Sequence, residues 1–309
     1  QAAVGRSLST APAKSVVITG ASTGIGAACA LHLDQLGWRV FAGVRKQADA
    51  EALRAQGSAR LTPISLDVTD TVSISTAAGA VAGAVGAAGL AGLVNNAGIV
   101  VPGPIEFLPL ADLRRQLEIN VVGQVAVTQA FLPLIRAGRG RIVNMGSIAG
   151  RMATPFTGAY GASKFALEAL TDALRLELAP WGISVSIIEP GAVATPIWKK
   201  SAKHAEVMLG AAPPETFGLY AEAIEAVKKT AAHAAKNAVS PVDVARAVEH
   251  ALTAAKPRTR YVVGREAKIR AAMALFVPDR VRDNLVAKAM RLPKTAPTAP
   301  PKAGETTWG

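Results

Sequence analysis

Tyr160 and Lys164 stand four residues apart in Tyr160-Gly-Ala-Ser-Lys164, at the end of a stretch that begins at Ser147. On a helix that spacing puts both side chains on one face, about one turn apart. A phenol with an ordinary pKa of about 10 transfers protons poorly at neutral pH, and a fixed ammonium a few ångströms away favours its phenolate form. The pair therefore suits general acid or base chemistry at Tyr160. An exposed amphipathic helix carries the same spacing, so the reading depends on the elements that would position it.

Those elements alternate in a regular way. Ser15-Val-Val-Ile-Thr19 is a β-branched apolar run of the kind that forms a buried parallel strand. Gly20, Gly24 and Gly26 follow and open an Ala/Leu-rich helix ending near Gly37. Their spacing allows a tight turn and lets a pyrophosphate sit on unpaired helix N–H groups, although the same glycines could make an ordinary strand-to-helix turn. A second strand, Arg39 to Val44, ends in Arg45-Lys46. An acidic residue there would accept from a ribose 2′-OH and repel a 2′-phosphate. Two cations instead favour NADP(H) over NAD(H), unless both are merely solvated.

Leu61 to Leu66 reads as a third strand, followed by Asp67, which could reach an adenine amino group or cap the next helix. Leu93-Val-Asn-Asn-Ala-Gly98 repeats the pattern of strand and small polar turn. Glu106 to Arg136 reads as helix and carries Asn120 in apolar surroundings, where a buried amide needs partners. Arg141 to Met145 is a fifth strand that delivers Ser147. Phe156 to Ala179 is the helix bearing Tyr160 and Lys164, Ile183 to Ile188 a sixth strand, and Tyr261 to Val263 a seventh. Ser240-Pro-Val-Asp243 has the chemistry of a helix start. Strands alternating with helices imply crossover connections and an α/β fold with a doubly wound parallel sheet of about seven strands, helices on both faces.

Composition fits this. Of 309 residues half are hydrophobic and 18% charged, a globular balance. The formal charge is +12, yet residues 256–302 hold 12 Lys/Arg against 3 Asp/Glu, so most of the excess lies in that segment. Cys29 is alone, which excludes an intrachain disulfide and makes it a small core residue. The start of the sequence carries no long apolar leader run. Ala77 to Val94 is uncharged and long enough to span a bilayer, but its Ala and Gly carry little transfer energy and the run leads straight into the strand-like Leu93-Val94, so a spanning helix is not expected. No metal site is expected.

With these residues in order, the chain resembles the short-chain dehydrogenases/reductases. The likeness runs from about Lys14 to Gly264 and rests on Thr19-Gly20-x-x-x-Gly24-x-Gly26, Asn95-Asn-Ala-Gly98, Asn120, Ser147, Tyr160-x-x-x-Lys164 and Pro190-Gly191-x-x-x-Thr195. Gly89 to Gly98, Ser147-Ile-Ala-Gly-Arg151 and Pro257-Arg-Thr-Arg-Tyr261 resemble the branch that holds retinol and 17β-hydroxysteroid dehydrogenases. The resemblance implies a Rossmann-type fold and hydride transfer between NAD(P)(H) and a secondary alcohol or ketone. In it Tyr160 is the acid/base, Lys164 lowers its pKa and binds the nicotinamide ribose, Ser147 hydrogen-bonds the substrate oxygen, and Asn120 holds a water linking Lys164 to solvent. The implied cofactor contacts are Gly20, Ser22, Thr23, Gly24, Ile25, Gly26, Arg45, Asp67, Val68, Asn96, Ala97, Gly98, Tyr160, Lys164, Pro190, Gly191, Val193 and Thr195.

The implied organisation is a flexible segment 1–13, a catalytic domain 14–264, basic amphipathic helices 265–292 and a disordered tail 293–309. Trp198, Met208, Leu209, Phe217 and Tyr220 suggest an apolar lid over a lipophilic, steroid- or retinoid-like substrate, or ordinary core filling. Lys268 to Val277 and Val281 to Leu292 could lie on an anionic membrane, cover the substrate mouth or join subunits. The expected protein is a cytoplasmic homo-oligomer, dimer or tetramer, with peripheral membrane contact through this segment. The competing readings are a reductase of 3-oxoacyl thioesters or small ketones, and a non-catalytic dinucleotide sensor. Nucleic acid is not an expected partner, because the basic segment lacks interleaved aromatics.

Overall fold

The computed structural model describes residues 14–210, 215–290, 292, 293 and 295, without the side chains of 209 and 215–218. The strands are β1 (Ser15–Ile18), β2 (Arg39–Val44), β3 (Leu61–Ser65), β4 (Gly92–Asn95), β5 (Arg141–Met145), β6 (Ser184–Pro190) and β7 (Arg260–Val263). The helices are α1 (Gly24–Gln35), α2 (Gln47–Arg54), α3 (Thr71–Val85), α4 (Leu110–Leu117), α5 (Gly123–Ala137), α6 (Gly158–Leu178), α7 (Ile197–Gly210), α8 (Glu215–Lys236), α9 (Pro241–Thr253), α10 (Arg265–Phe276) and α11 (Asp279–Ala289).

The strands form one sheet in the order β3-β2-β1-β4-β5-β6-β7, every neighbouring pair parallel. From β1 the chain winds outward to β3, returns through α3 to β4, and winds outward the other way. The reversal opens a crevice beyond the ends of β1 and β4, the place where open parallel sheets bind ligands.

Why the strands read as unbroken apolar runs is visible in β1. Val16 and Ile18 face one core with Cys29, Ala30 and Leu33 of α1 and Val244, Ala245 and Val248 of α9. Val17 faces the opposite core with Ile74, Ala77 and Val81 of α3 and Val127, Phe131 and Ile135 of α5. A strand covered on both faces has no solvent side to make polar. Two helical stretches, Thr71–Ala88 and Leu110–Ala137, are long and apolar enough to cross a membrane. Both lie on the sheet through the α3 and α5 residues just named.

Local chemistry sets the ends. Asp70, not Asp67, caps α3, accepting from the Val72 and Ser73 amides; Asp67 turns its carboxylate to Thr69. Ser240 caps α9 by accepting from Val242 N, with Pro241 at the first helical position. Of the helix expected over Glu106 to Arg136, Leu110–Ala137 is helical throughout, α4 passing into α5 through a π-helical turn at Glu118–Val122, and a separate 3₁₀ turn at Ile105–Phe107 precedes it. β3 is an edge strand. The Leu66 amide donates to Val44 O of β2, so by alternation Pro63 directs its ring nitrogen outward.

After β7, α10 leans on the end of the sheet, where Ala267 and Ala271 pack with Ile148 and Val262. Segments 1–13 and 293–309, expected to be flexible, lie outside the described residues except for Pro293 and Thr295.

Candidate active site

The turn after β1 is built for close approach. Gly20 and Gly24 have φ of 63° and 62°, in the left-handed region. A Cβ on Gly26 would stand 2.3 Å from Gly20 O and 2.5 Å from the Asn96 amide nitrogen. Asn96 Nδ2 donates to Thr19 O and Gly20 O, while Thr19 Oγ1 accepts from the Asn96 and Ala97 amides. These bonds tie the ends of β1 and β4 across the crevice. Thr23 begins α1 without a side-chain cap and no acid stands in the first turn, so the N–H groups of that turn are open to an anion. Ser22, Thr23 and Ile25 lie on this turn. The residues present thus fit a dinucleotide pyrophosphate: a side chain on Gly26 would strike Gly20 O and Asn96, and one on Gly20 would strike Ala97, so only glycine keeps the turn this tight beneath the open N–H groups.

At the end of β2 the Arg45 guanidinium is largely exposed and lies 3.9 Å from Asp67 Oδ2, the pair flanking the crevice from neighbouring strand ends. Val68 is buried and its carbonyl abuts Gly123. On the far side, Gly191 N donates to Val263 O, and the segment after β6 is stitched to Val239 through Ala192 O and Ala194 N. Thr195 lies against Gly24, where a Cβ would come within 3.1 Å of the threonine. The turn after Pro190 and the turn after β1 therefore meet. Trp198 Nε1 donates to Val193 O at 2.7 Å and anchors the start of α7.

Ser147, Tyr160 and Lys164 converge between β5 and α6. Ser147, buried at the end of β5, accepts from Ala149 N in a short 3₁₀ turn. Its hydroxyl lies beside the Tyr160 phenol and favours the ionised form. Lys164 is buried, donates from Nζ to Met145 O at 2.7 Å, and lies 5.7 Å from the Tyr160 ring centroid. Burial pushes the Tyr160 phenol above its ordinary value, with the Ser147 hydroxyl opposing. The depression expected from Lys164 is not seen: the lysine is turned to Met145 O, and the Ser147 hydroxyl is the group that lowers the phenol. Burial also lowers the Lys164 ammonium to about 8, opposed by the carboxyl of Glu168.

Asn120 sits inside the π-helical turn, a feature that recurs at functional sites. It is fully buried; its Oδ1 accepts from Ile99 N, and its Nδ2 donates to Ile99 O and Ser163 Oγ. Both amide protons are committed, and Gln116 grips Ile99 O and Val101 N beside it. The amides of Asn120 and Gln116 thus act as a false strand that fixes the chain beyond Gly98.

The lid side is aromatic. Tyr220 on α8 packs edge-on against Phe107 and Phe156, with centroids 6.0 and 5.9 Å apart, and donates to Glu106 at 2.6 Å. A cavity of about 90 Å³ behind them is walled by Pro102, Phe107, Phe156, Met208 and Ile224. Of the residues expected in a lid, Met208 walls the cavity and Tyr220 packs on Phe107 and Phe156, whereas Trp198 is bound to Val193 O at the start of α7; Leu209 and Phe217 lie outside the described side chains.

Sequence reasoning missed several buried polar residues. Asn95 Nδ2 donates to Thr128 Oγ1 and to Asn144 Oδ1, and Asn144 in turn donates to Thr171. Arg151 and Arg260 form an ion cluster with Glu168 and Glu189 beneath α6. For Glu168 a signal existed: it continues the four-residue spacing from Tyr160 through Lys164.

The sequence pattern of the family described as short chain dehydrogenase matches residues 14–206. Retinol dehydrogenase 5 of Mus musculus is 38% identical over 274 residues, covering 87% of this chain and 86% of that protein. The human 17-beta-hydroxysteroid dehydrogenase type 6 is 38% identical, covering 92% and 90%. Among solved structures, a short-chain dehydrogenase from Streptomyces avermitilis superposes with a TM-score of 0.72 at 31% identity, covering 91% of this chain and 98% of that one. One from Burkholderia cenocepacia, in complex with NADP, gives 0.68 at 25%, covering 90% and 97%. The chain belongs to the short-chain dehydrogenase family, in the branch of the retinol and 17β-hydroxysteroid dehydrogenases, and is an NAD(P)-dependent oxidoreductase of CH–OH groups.

Proposed function

We propose that the protein interconverts a secondary alcohol and a ketone on a lipophilic substrate of steroid- or retinoid-like shape, using NADP(H), with Tyr160 as the general acid/base. The observation that carries this is the convergence of the buried Ser147 hydroxyl and the buried Lys164 ammonium on the half-buried Tyr160 phenol, on one side of the crevice. The cofactor, when bound, supplies or accepts the hydride. The glycine turn after β1 with Asn96, Ala97 and Gly98 would hold its phosphates and ribose, and the Pro190 to Thr195 turn its nicotinamide end.

Ser147 hydrogen-bonds the substrate oxygen and fixes its position. Tyr160 gives that oxygen a proton in reduction and takes it in oxidation. Lys164 keeps a positive charge beside the phenol, which works strongly because the site is dry. Asn120 fixes the strand beyond Gly98 and, by the family's pattern, holds the water that returns protons to Lys164. Phe107, Phe156, Met208 and Tyr220 offer apolar and aromatic surface to the substrate body. Tyr160→Phe keeps the ring and removes the proton, so turnover should fall by about 10²- to 10⁴-fold with cofactor binding nearly intact. Near-normal turnover would sink the assignment.

NADP(H) preference rests on Arg45 and Lys46, exposed at the end of β2 with no acid on that strand end. Arg45 is held only loosely by Asp67, leaving it free to pair with a 2′-phosphate. Arg45→Asp should reverse the order of the two cofactors in a binding titration.

We further propose that α10 and α11 attach the protein peripherally to an anionic membrane surface, near the source of a lipophilic substrate. Leu275 and Phe276 are 66% and 81% exposed, and Ile269, Val281 and Leu285 are exposed near them. The rival reading, in which Met273, Phe276 and Leu285 pack onto the main domain and close the substrate pocket, needs all three covered; Met273 is half-buried, Phe276 and Leu285 are exposed.

A further inference from the structure

The face of α6 that carries Tyr160 and Lys164 continues at the same spacing to Glu168 and Asp172. Below Lys164 this column enters a cluster drawn from four elements. Glu189, at the end of β6, has no solvent exposure. Arg151, just past the turn after Ser147, donates from both Nε and Nη2 to Glu189 Oε1, at 3.0 and 2.9 Å. Arg260 of β7 places Nε 3.5 Å from the same oxygen, donates to Glu168 Oε2 at 3.2 Å and reaches Asp172 Oδ2 at 2.6 Å. Arg175 holds the other Asp172 oxygen. From α10, Ala267 and Ala271 pack against Ile148, and the same helix carries Arg270, whose guanidinium is held by burial below its ordinary value. The turn is sealed by Gly150, where a Cβ would meet Lys164 O at 2.9 Å and Glu168 Cγ at 3.2 Å.

One oxygen of each glutamate remains. Glu168 Oε1 and Glu189 Oε2 are both buried with no hydrogen-bond partner among the described residues. Two adjacent buried carboxylates cannot both ionise cheaply, whereas one proton between them supplies the missing donor. Burial and the neighbouring Glu189 carboxyl accordingly push Glu168 up to about 7, against the pull of Arg260 and Arg151.

We propose that Glu168, sharing one proton with Glu189, is a positioning residue that acts through Lys164: the share of negative charge on Glu168 sets how firmly the lysine is held as an ammonium. The proposal rests on the reading of Tyr160 and Lys164 as the acid/base pair. Because the pair carries one net negative charge, removing either carboxyl moves that charge rather than abolishing it. In Glu168→Gln it sits on Glu189, away from Lys164. In Glu189→Gln it sits on Glu168, one helical turn from the lysine.

The test is the pH profile of kcat/KM for the full-length protein, the two glutamine variants and Tyr160→Phe. The alkaline limb, where Lys164 loses its proton at about 8, lies above the pH at which Glu168 ionises, so it should move down by about one pH unit in Glu168→Gln and stay in place in Glu189→Gln, which keeps the Glu168 charge beside the lysine. A merely structural role would lower activity at every pH and leave the limb in place in both variants. An unmoved limb in Glu168→Gln, or an equal fall in both variants, overturns the proposal. Turnover surviving Tyr160→Phe would instead remove the acid/base reading beneath it. Should Glu189→Gln fail to fold, infrared titration serves. A protonated-carboxyl band that persists at neutral pH and disappears in Glu168→Gln is expected; no such band overturns the shared proton.

Discussion

Lys164 is costly where it stands. Its folded pKa of about 8 lies below the ordinary 10.5 because burial disfavours the ammonium. Between those values the unfolded chain binds more protons than the folded one, so stability rises with pH across that window; below about 8 the buried charge is a standing penalty. Lys164→Met should therefore raise Tm at neutral pH while removing turnover, and the gain should shrink as pH approaches 10.5. A lower Tm by calorimetry would mean that the bond to Met145 O outweighs desolvation. At this scale the sequence was legible where partners are chain-local. Tyr160 and Lys164 could be paired because helix geometry brings residues four apart together. Arg151 and Glu189, separated by 38 residues, meet only because β5 and β6 are neighbours in the sheet, which no local pattern states. Asn120 could be read as a buried amide needing partners, but those partners, the Ile99 peptide and Ser163, come from tertiary packing.

Elements were legible in proportion to how strongly burial constrains them. Strands covered on both faces had to be apolar and β-branched, and all seven stand close to where they read. The helix read over Glu106 to Arg136 begins at Leu110, and its π-helical turn was not legible because nothing between Leu110 and Val122 is glycine or proline; the turn accompanies the reach of Asn120 and Gln116 to Ile99. In α3, glycine is a weakness without a visible purpose. A Cβ at Gly79 or Gly83 meets nothing within 4 Å, and both positions are exposed in the helix interior. Gly79→Ala and Gly83→Ala should each stabilise by about 0.5–1 kcal/mol, read as a higher Tm with unchanged kcat/KM. If Tm does not rise, that face has a partner that needs the glycines.

Over the whole molecule, charge and apolar exposure coincide at one end. Arg265, Lys268, Arg270, Arg280, Arg282 and Lys288 stand on the same two helices, α10 and α11, as the exposed Leu275, Phe276 and Leu285. Attraction to an anionic surface is worth about 1 kcal/mol per nearby basic residue and is screened by salt. Sedimentation with anionic vesicles should thus fall steeply with added salt, and Leu275→Ser with Phe276→Ser should weaken it further while sparing turnover on a soluble ketone. Indifference to such vesicles at low salt would refute the attachment. The opposite end of the sheet bears on a different property. Beyond β3 an incoming strand would find no N–H at Pro63, so the ladder cannot be extended there in register. That edge is protected against strand-by-strand aggregation, and concentrated stocks should store without fibrils growing from it.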